Sequence, residues 1–218
     1  MAELTAEQER QAEENRRRLL EAEANALRLL LQARSQATER GARAGLGLRS
    51  IANRVETAVR GAISDARQVS RAVGISRLSA EVGMGGGLGE FREVLASEVG
   101  RDQARAREYA RNYAGDWLRS ASGDSVRQAV KTANERSLGS LRRIGVTESS
   151  EAFNTGRAKA AQKLPASTGL LRVWDSTLDK RVCPICSRAD GYIVGIRERF
   201  PWGEPGTPHP FAVAAGPS

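Results

Sequence analysis

The most reactive side chains in this sequence are two cysteines separated by two residues. Cys183 and Cys186 are the only cysteines, and His209 is the only histidine. Thiolates at this spacing suit a tetrahedral zinc ion, with His209 as a third ligand and Asp179 or Asp190 as a fourth. A redox dithiol is a second interpretation, although it calls for a following helix. Two small buried residues of a hairpin are the third.

The composition predicts a helical chain rather than an enzyme with one dense core. Leu, Ile, Val and Phe make up about a fifth of the 218 residues, and aromatic residues only 5%, which is close to the limit for compact burial. Two cysteines exclude a disulfide scaffold. Neither a membrane-spanning apolar run nor the apolar stretch of a secretory signal occurs. The net charge of +8 permits contact with nucleic acid.

Residues 2–38 have the spacing of one long helix. Leu20, Ala24, Leu27 and Leu31 recur at steps of three and four residues, which predicts one buried face. The first half of this segment has almost no large apolar residue. We therefore expect residues 1–40 to be poorly ordered in the free protein and to become helical on assembly.

Two further segments are predicted to be amphipathic helices. Residues 50–73 carry a stripe formed by Ile51, Val55, Ala58, Ala62, Ala66, Val69 and Val73, with Arg54, Arg60, Arg67 and Arg71 off that stripe. Residues 90–121 carry a second stripe formed by Phe91, Leu95, Val99, Ala106, Tyr109, Tyr113 and Trp117. The aromatic residues among arginines could stack on nucleic-acid bases, but burial in a helical bundle is the favoured interpretation.

The C-terminal part changes character. Helices are predicted over 124–143 and 147–163, and strands over 170–174 and 192–196, followed by a loop rich in Pro and Gly. The predicted fold is mainly α and elongated, with a small C-terminal β-hairpin or knuckle subdomain (α+β). The predicted organisation is a helical arm (1–40), an amphipathic helix region (41–82), a Gly-rich hinge (83–89), a helical region (90–146) and a C-terminal module (147–218).

Residues 147–210 contain a series of short motifs in a fixed order: Thr147-Glu148, Phe153-Asn154-Thr155-Gly156-Arg157, Trp174-Asp175, Asp179, Arg181-Val182-Cys183-Pro184-Ile185-Cys186, Asp190-Gly191, Phe200 and Pro208-His209-Pro210. In these motifs the segment resembles the phage head morphogenesis family, the minor head proteins of the Mu F-like kind. The resemblance implies structural roles for Glu148, Asn154, Arg157, Trp174, Asp179 and Gly191. It further implies that Glu148, Asn154 and Arg157 join their helix to the β unit by buried hydrogen bonds. The alternative is that these residues form a solvated face of a helix whose N-cap is Thr147.

The sequence departs from the family pattern after His209. Ala212 and Ala214 stand where family members commonly have cysteines. A zinc site here would contain only Cys183, Cys186 and His209 and would be incomplete. We therefore expect no cofactor, with zinc as the alternative, and a two-stranded β unit that packs on helix 147–163 through Trp174.

The resemblance implies a structural protein of the virion rather than an enzyme. Such proteins lie inside the phage head at the portal vertex, and are in the host cytoplasm during assembly. The implied partners are the portal protein, the major capsid protein and packaged DNA bound without sequence specificity, with no membrane and no small-molecule substrate. Two alternatives stay open: a basic nucleic-acid-binding regulator, and a degenerate zinc-site enzyme. Zinc deaminases, however, have Pro before the first Cys, where this chain has Val182.

Overall fold

Helices account for most of the structure. A computed structural model describes residues 6–83, 91–165, 171–175, 189, 192–195, 198 and 213–215. Its helices are α1 (Ala6–Arg43), α2 (Leu48–Glu81), α3 (Arg92–Ser120), α4 (Val126–Arg136) and α5 (Leu138–Lys163). The prediction of a mainly α chain is confirmed, and the expected elongated shape stays a prediction. Within the described ranges, no helix is long and apolar enough to cross a membrane.

The chain forms two units, and each is assembled from separate stretches of sequence. Unit 1 contains residues 1–20, 71–95 and 150–218, and unit 2 contains residues 21–70 and 96–149. The five consecutive regions that the sequence predicted stay a prediction. Residues on both sides of the predicted Gly-rich hinge belong to unit 1, and most of that hinge lies outside the described residues.

Unit 2 has the larger apolar core. Its most buried large side chains come mainly from α2 and α3, among them Ile51, Val55, Ile63, Tyr113 and Trp117, and Leu30 of α1 and Leu141 of α5 are buried with them. Burial of the two aromatic residues confirms the bundle interpretation of the aromatic segment. Tyr113 and Trp117 also have polar partners. The Tyr113 hydroxyl lies 2.9 Å from Ser137 Oγ, and Trp117 Nε1 donates to Asn134 Oδ1 at 2.9 Å. The smaller core of unit 1 contains Ile75, Leu78, Phe91, Val94, Ala160, Ala161 and Leu164.

The buried face of α1 differs from the predicted one. Leu20 is 58% exposed, and the buried positions include Ala22, Ala26, Leu30, Ala37 and Thr38. Within unit 2, α5 approaches the α1 backbone closely, since a Cβ on Gly145 would lie 3.4 Å from Leu27 Cα. Small residues are buried on α1 because they permit such close packing.

Helix α5 is continuous where the sequence predicted a break. It begins at Leu138 and passes through residues 146 and 147, so Thr147 is not an N-cap. The interruption occurs instead at Ser137, the C-cap of α4. Gly145 lies inside α5 at a contact with α1, where a larger residue has little room. This glycine therefore serves helix packing and does not end a helix.

Three short strands follow the helices. The expected strands are present as β1 (Leu171–Asp175) and β2 (Ile193–Gly195), which pair antiparallel. A third strand, β3 (Val213–Ala215), pairs antiparallel with the other edge of β1 and gives the order β2-β1-β3. The sequence missed β3 because three small residues after a Pro-rich stretch have no strand pattern of their own.

Candidate functional site

The buried face of α5 contains charged residues of the family-like motif. Glu148 and Arg157 are both 1% exposed. They lie on the helix face that also buries Leu141, Ile144, Ala152, Phe153, Ala160 and Ala161. Charged groups in such positions need paired partners to offset their lost hydration. The contacts of Glu148 and Arg157 therefore decide what the motif can do.

In unit 2, Glu148 lies in an ion-pair network with Arg67, Arg105 and Asp102. Its Oε2 accepts a hydrogen bond from an Arg67 NH at 2.5 Å, and its Oε1 accepts one from Arg105 at 2.8 Å. Arg67 Nε also donates to Asp102 Oδ1 at 2.7 Å. The side chains of Arg67, Asp102 and Glu148 are at most 2% exposed. Carboxylates and guanidiniums thus join α2, α3 and α5.

In unit 1, Arg157 has an equivalent role. Its two terminal nitrogens donate to the two oxygens of Glu81, at 2.8 and 3.2 Å, and one also donates to Asn15 at 3.1 Å. Arg77 donates to Asn15 at 2.9 Å and lies 3.2 Å from Glu81. Desolvation lowers the pKa of Arg157, and the charge of Glu81 opposes that shift. This second network joins α1, α2 and α5.

Gly156 permits the helix contact beside Arg157. A Cβ at this position would lie 2.7 Å from Arg71 Cγ and 2.8 Å from the Arg71 carbonyl oxygen on α2. The same crossing is tight from the other side, where a Cβ on Gly74 would collide with the carbonyl oxygen of Phe153. Glycine is the residue that allows backbones to approach this closely. The Asn-x-Gly-Arg motif therefore supplies a contact point and an ion pair in one turn.

These contacts correct one expectation. The sequence analysis has Glu148, Asn154 and Arg157 joining their helix to the β unit. The partners of Glu148 and Arg157 are instead on other helices, because both residues lie on the α5 face that packs against α2. Asn154 is half-buried and makes no side-chain hydrogen bond within the described ranges.

The remaining predicted site residues lie at the C-terminal end. Trp174 is in β1, opposite Ala214 of β3 in the strand register. Cys183, Cys186, His209, Asp179 and Gly191 lie outside the described residues, so the zinc interpretation stays a prediction. Among the residues that the structure does describe, no group of three or more His, Cys, Asp or Glu could hold a metal.

Sequence reasoning missed two buried arginines of α2, one of which, Arg67, is a partner of Glu148. Arg67 and Arg71 appeared to lie off the α2 stripe, yet both are buried. A signal was present in α3, where Glu98 and Asp102 continue the four-residue steps of Ala106 and Ala110. Both acidic residues are buried at 1% exposure or less. Charged residues in phase with an apolar stripe can thus indicate interior ion pairs.

Comparison with known proteins adds no support to the family resemblance of residues 147–210, which therefore depends on the motifs alone. No family model, no curated protein and no solved structure is significantly similar to this chain.

Proposed function

We propose that this chain is a minor head protein of a phage virion, which acts in head morphogenesis at the portal vertex. Its proposed partners are the portal protein, the major capsid protein and packaged DNA. The proposal depends on the set of motifs in residues 147–210. It is supported by two motif residues that form ion pairs between helices. Glu148 and Arg157 are both buried and paired.

The contacts of Glu148 support a structural role over a catalytic one. A general base must reach the proton that it removes. Both oxygens of Glu148 accept hydrogen bonds from guanidiniums, and its side chain is 2% exposed. A buried, paired carboxylate of this kind holds the helices of one unit in fixed positions. A structural protein needs this rigidity to offer defined binding surfaces to its partner proteins.

The charge of the chain supports contact with packaged DNA. The net charge is +8, and the positive side chains that neutralise phosphates release counterions. Non-specific binding of this kind does not require base-reading side chains.

The experiment is a genetic and compositional test on the phage or prophage that encodes the chain. We expect a portal gene directly upstream and this chain in purified virions by mass spectrometry. A nonsense mutation in the gene should give particles that lack the chain and are not infectious. Full infectivity after the nonsense mutation, or absence of the chain from wild-type virions, would contradict the proposal.

A separate measurement addresses the regulator alternative. Purified chain is titrated with duplex DNA of several sequences at about 0.2 M salt. A minor head protein should bind all of them weakly and similarly. Tight binding to one sequence at that salt would favour a regulator.

A further inference from the structure

Five cations are concentrated over α4 and the first turns of α5. They are Arg127, Lys131, Arg136, Arg142 and Arg143, and all are exposed. We call them the α4–α5 basic surface. Residues 126–143 contain one acidic residue, Glu135. The whole surface belongs to unit 2.

These cations lack the acidic partners that many other surface arginines have. Arg17, Arg43 and Arg101 each lie within 4 Å of a glutamate of their own helix. Within the described part of the chain, no carboxylate forms an ion pair with a cation of the basic surface. The side-chain contact that the surface does have is neutral, since Arg136 donates to Ser122 Oγ at 3.5 Å. The positive charge is therefore available to an external anion.

The helices that carry this surface are well anchored in unit 2. Ser125 caps α4, and Ala129, Val130 and Ala133 on its inner face are buried. The backbone carbonyl of Asn134 accepts a hydrogen bond from Arg34 on α1 at 2.9 Å. Cations on fixed helices keep defined positions, which those of a disordered basic tail do not.

We propose that the α4–α5 basic surface binds the phosphate backbone of duplex DNA without reading its sequence. This inference rests on the proposed function, which names packaged DNA as a partner, and assigns that contact to particular residues. Arginine supplies four of the five charges, and its planar fork matches phosphate oxygens.

An anionic membrane is a less suitable partner for this surface. Membrane-surface helices insert Trp, Phe or Leu beside their cations. The exposed apolar residues near the surface are Val126, Leu138 and Val146, each only about 40% exposed. They lie singly between polar residues, as is ordinary for protein surfaces.

The test uses the full-length chain and two matched variants. The surface variant combines Arg127→Gln, Lys131→Gln, Arg142→Gln and Arg143→Gln. The control variant combines Arg54→Gln, Arg60→Gln, Arg107→Gln and Arg111→Gln, which are also exposed residues of unit 2 and remove the same charge. Binding to a labelled duplex of about 30 base pairs is measured by anisotropy from about 50 to 200 mM salt.

We expect the surface variant to lose at least about tenfold in affinity at low salt and the control less than about threefold. The slope of log K against log salt should fall by about 0.9 per phosphate contact removed, or roughly 3 to 4 for the surface variant. Circular dichroism and thermal melting show whether the variants are folded. If the fourfold variant is unfolded, the pair Arg142→Gln and Arg143→Gln should give about half the change in slope.

Three results would overturn the inference: equal losses in both variants, no loss in the surface variant, or binding of the surface to vesicles of anionic lipid but not to duplex. None of these bears on whether the chain is found in virions. Conversely, the chain could be absent from virions while the surface variant alone loses DNA binding. That pair of results would overturn the proposed function but would support DNA binding by the α4–α5 basic surface.

Discussion

At the scale of single residues, Glu148 stabilises unit 2 only while its partners are present. A buried ion pair gains Coulomb energy that roughly repays the desolvation of its charges, so the network as a whole has a small net effect. Removal of one member is different, because the partner charge stays buried without compensation. Arg67, whose side chain is 1% exposed, has two carboxylate partners in the network, Glu148 and Asp102.

Glu148→Ala should therefore lower the free energy of unfolding by about 3–5 kcal/mol, the range for breaking a buried pair. Urea denaturation followed by circular dichroism measures this. Glu108→Ala serves as the control, since Glu108 is an exposed residue of α3, and should change stability by less than about 0.5 kcal/mol. Similar losses in both variants would mean that the network does not hold unit 2 together.

Two glycines of the same helix should respond to alanine with opposite signs. A Cβ on Gly156 would meet the backbone of α2, whereas a Cβ on Gly139 would meet no atom within 4 Å. Gly156→Ala should cost about 1–3 kcal/mol by overpacking. Gly139→Ala should stabilise α5 by about 0.5–1 kcal/mol through helix propensity. Thermal melting of both variants suffices, and a stabilising Gly156→Ala would show that the α2 contact is not tight.

At the scale of helices, α1 is supported differently along its length. Glu14 forms ion pairs with Arg17 and Arg18 at 2.8 and 3.0 Å, and the hydrogen bond from Arg17 lowers the pKa of Glu14. Such pairs contribute only a few tenths of a kcal/mol to an exposed helix. In the second half, by contrast, Ala26 and Leu30 are 1% exposed. Tertiary packing, rather than propensity, provides most of the stability of a helix.

Hydrogen exchange in the isolated protein should therefore be graded along α1. Amides of residues 22–40 should be protected in proportion to the stability of unit 2, and amides of residues 6–14 should exchange much faster. Such a gradient would limit the poorly ordered part of the free protein to the beginning of residues 1–40, rather than to all of them. Uniform protection from residue 6 onward would show that the first turns are packed as firmly as the rest, and uniform fast exchange would support the broader expectation.

At the scale of the whole molecule, we predict that the fold of the chain does not depend on a metal ion. A chelator should leave the melting temperature unchanged, and elemental analysis should find much less than one zinc per chain. The reason is that Ala212 and Ala214 remove two thiolates from the family pattern, and structural zinc sites need four ligands. Cys183→Ser combined with Cys186→Ser should likewise change the melting temperature little. About one zinc per chain with a large drop in melting temperature on chelation would overturn this prediction.

The sequence by itself determined that the chain is mainly helical, the positions of two strands and the burial of Tyr113 and Trp117. These features follow from periodicity and propensity, which act over a few neighbouring residues. The same local rules placed Arg67 off the core and ended a helix at residue 143, before Gly145. Both predictions were wrong, because the partner of each residue lies on another helix and far along the chain.

Only the tertiary structure decided what the family-like motif does. Glu148 is 81 residues from Arg67 in sequence, and Arg157 is 76 residues from Glu81. A solvated helix face and a buried one can carry the same charged residues, and the spacing within one helix does not distinguish them. The helices that pack against α5 supply the opposite charges and exclude water, so it is their arrangement that makes Glu148 and Arg157 part of the interior.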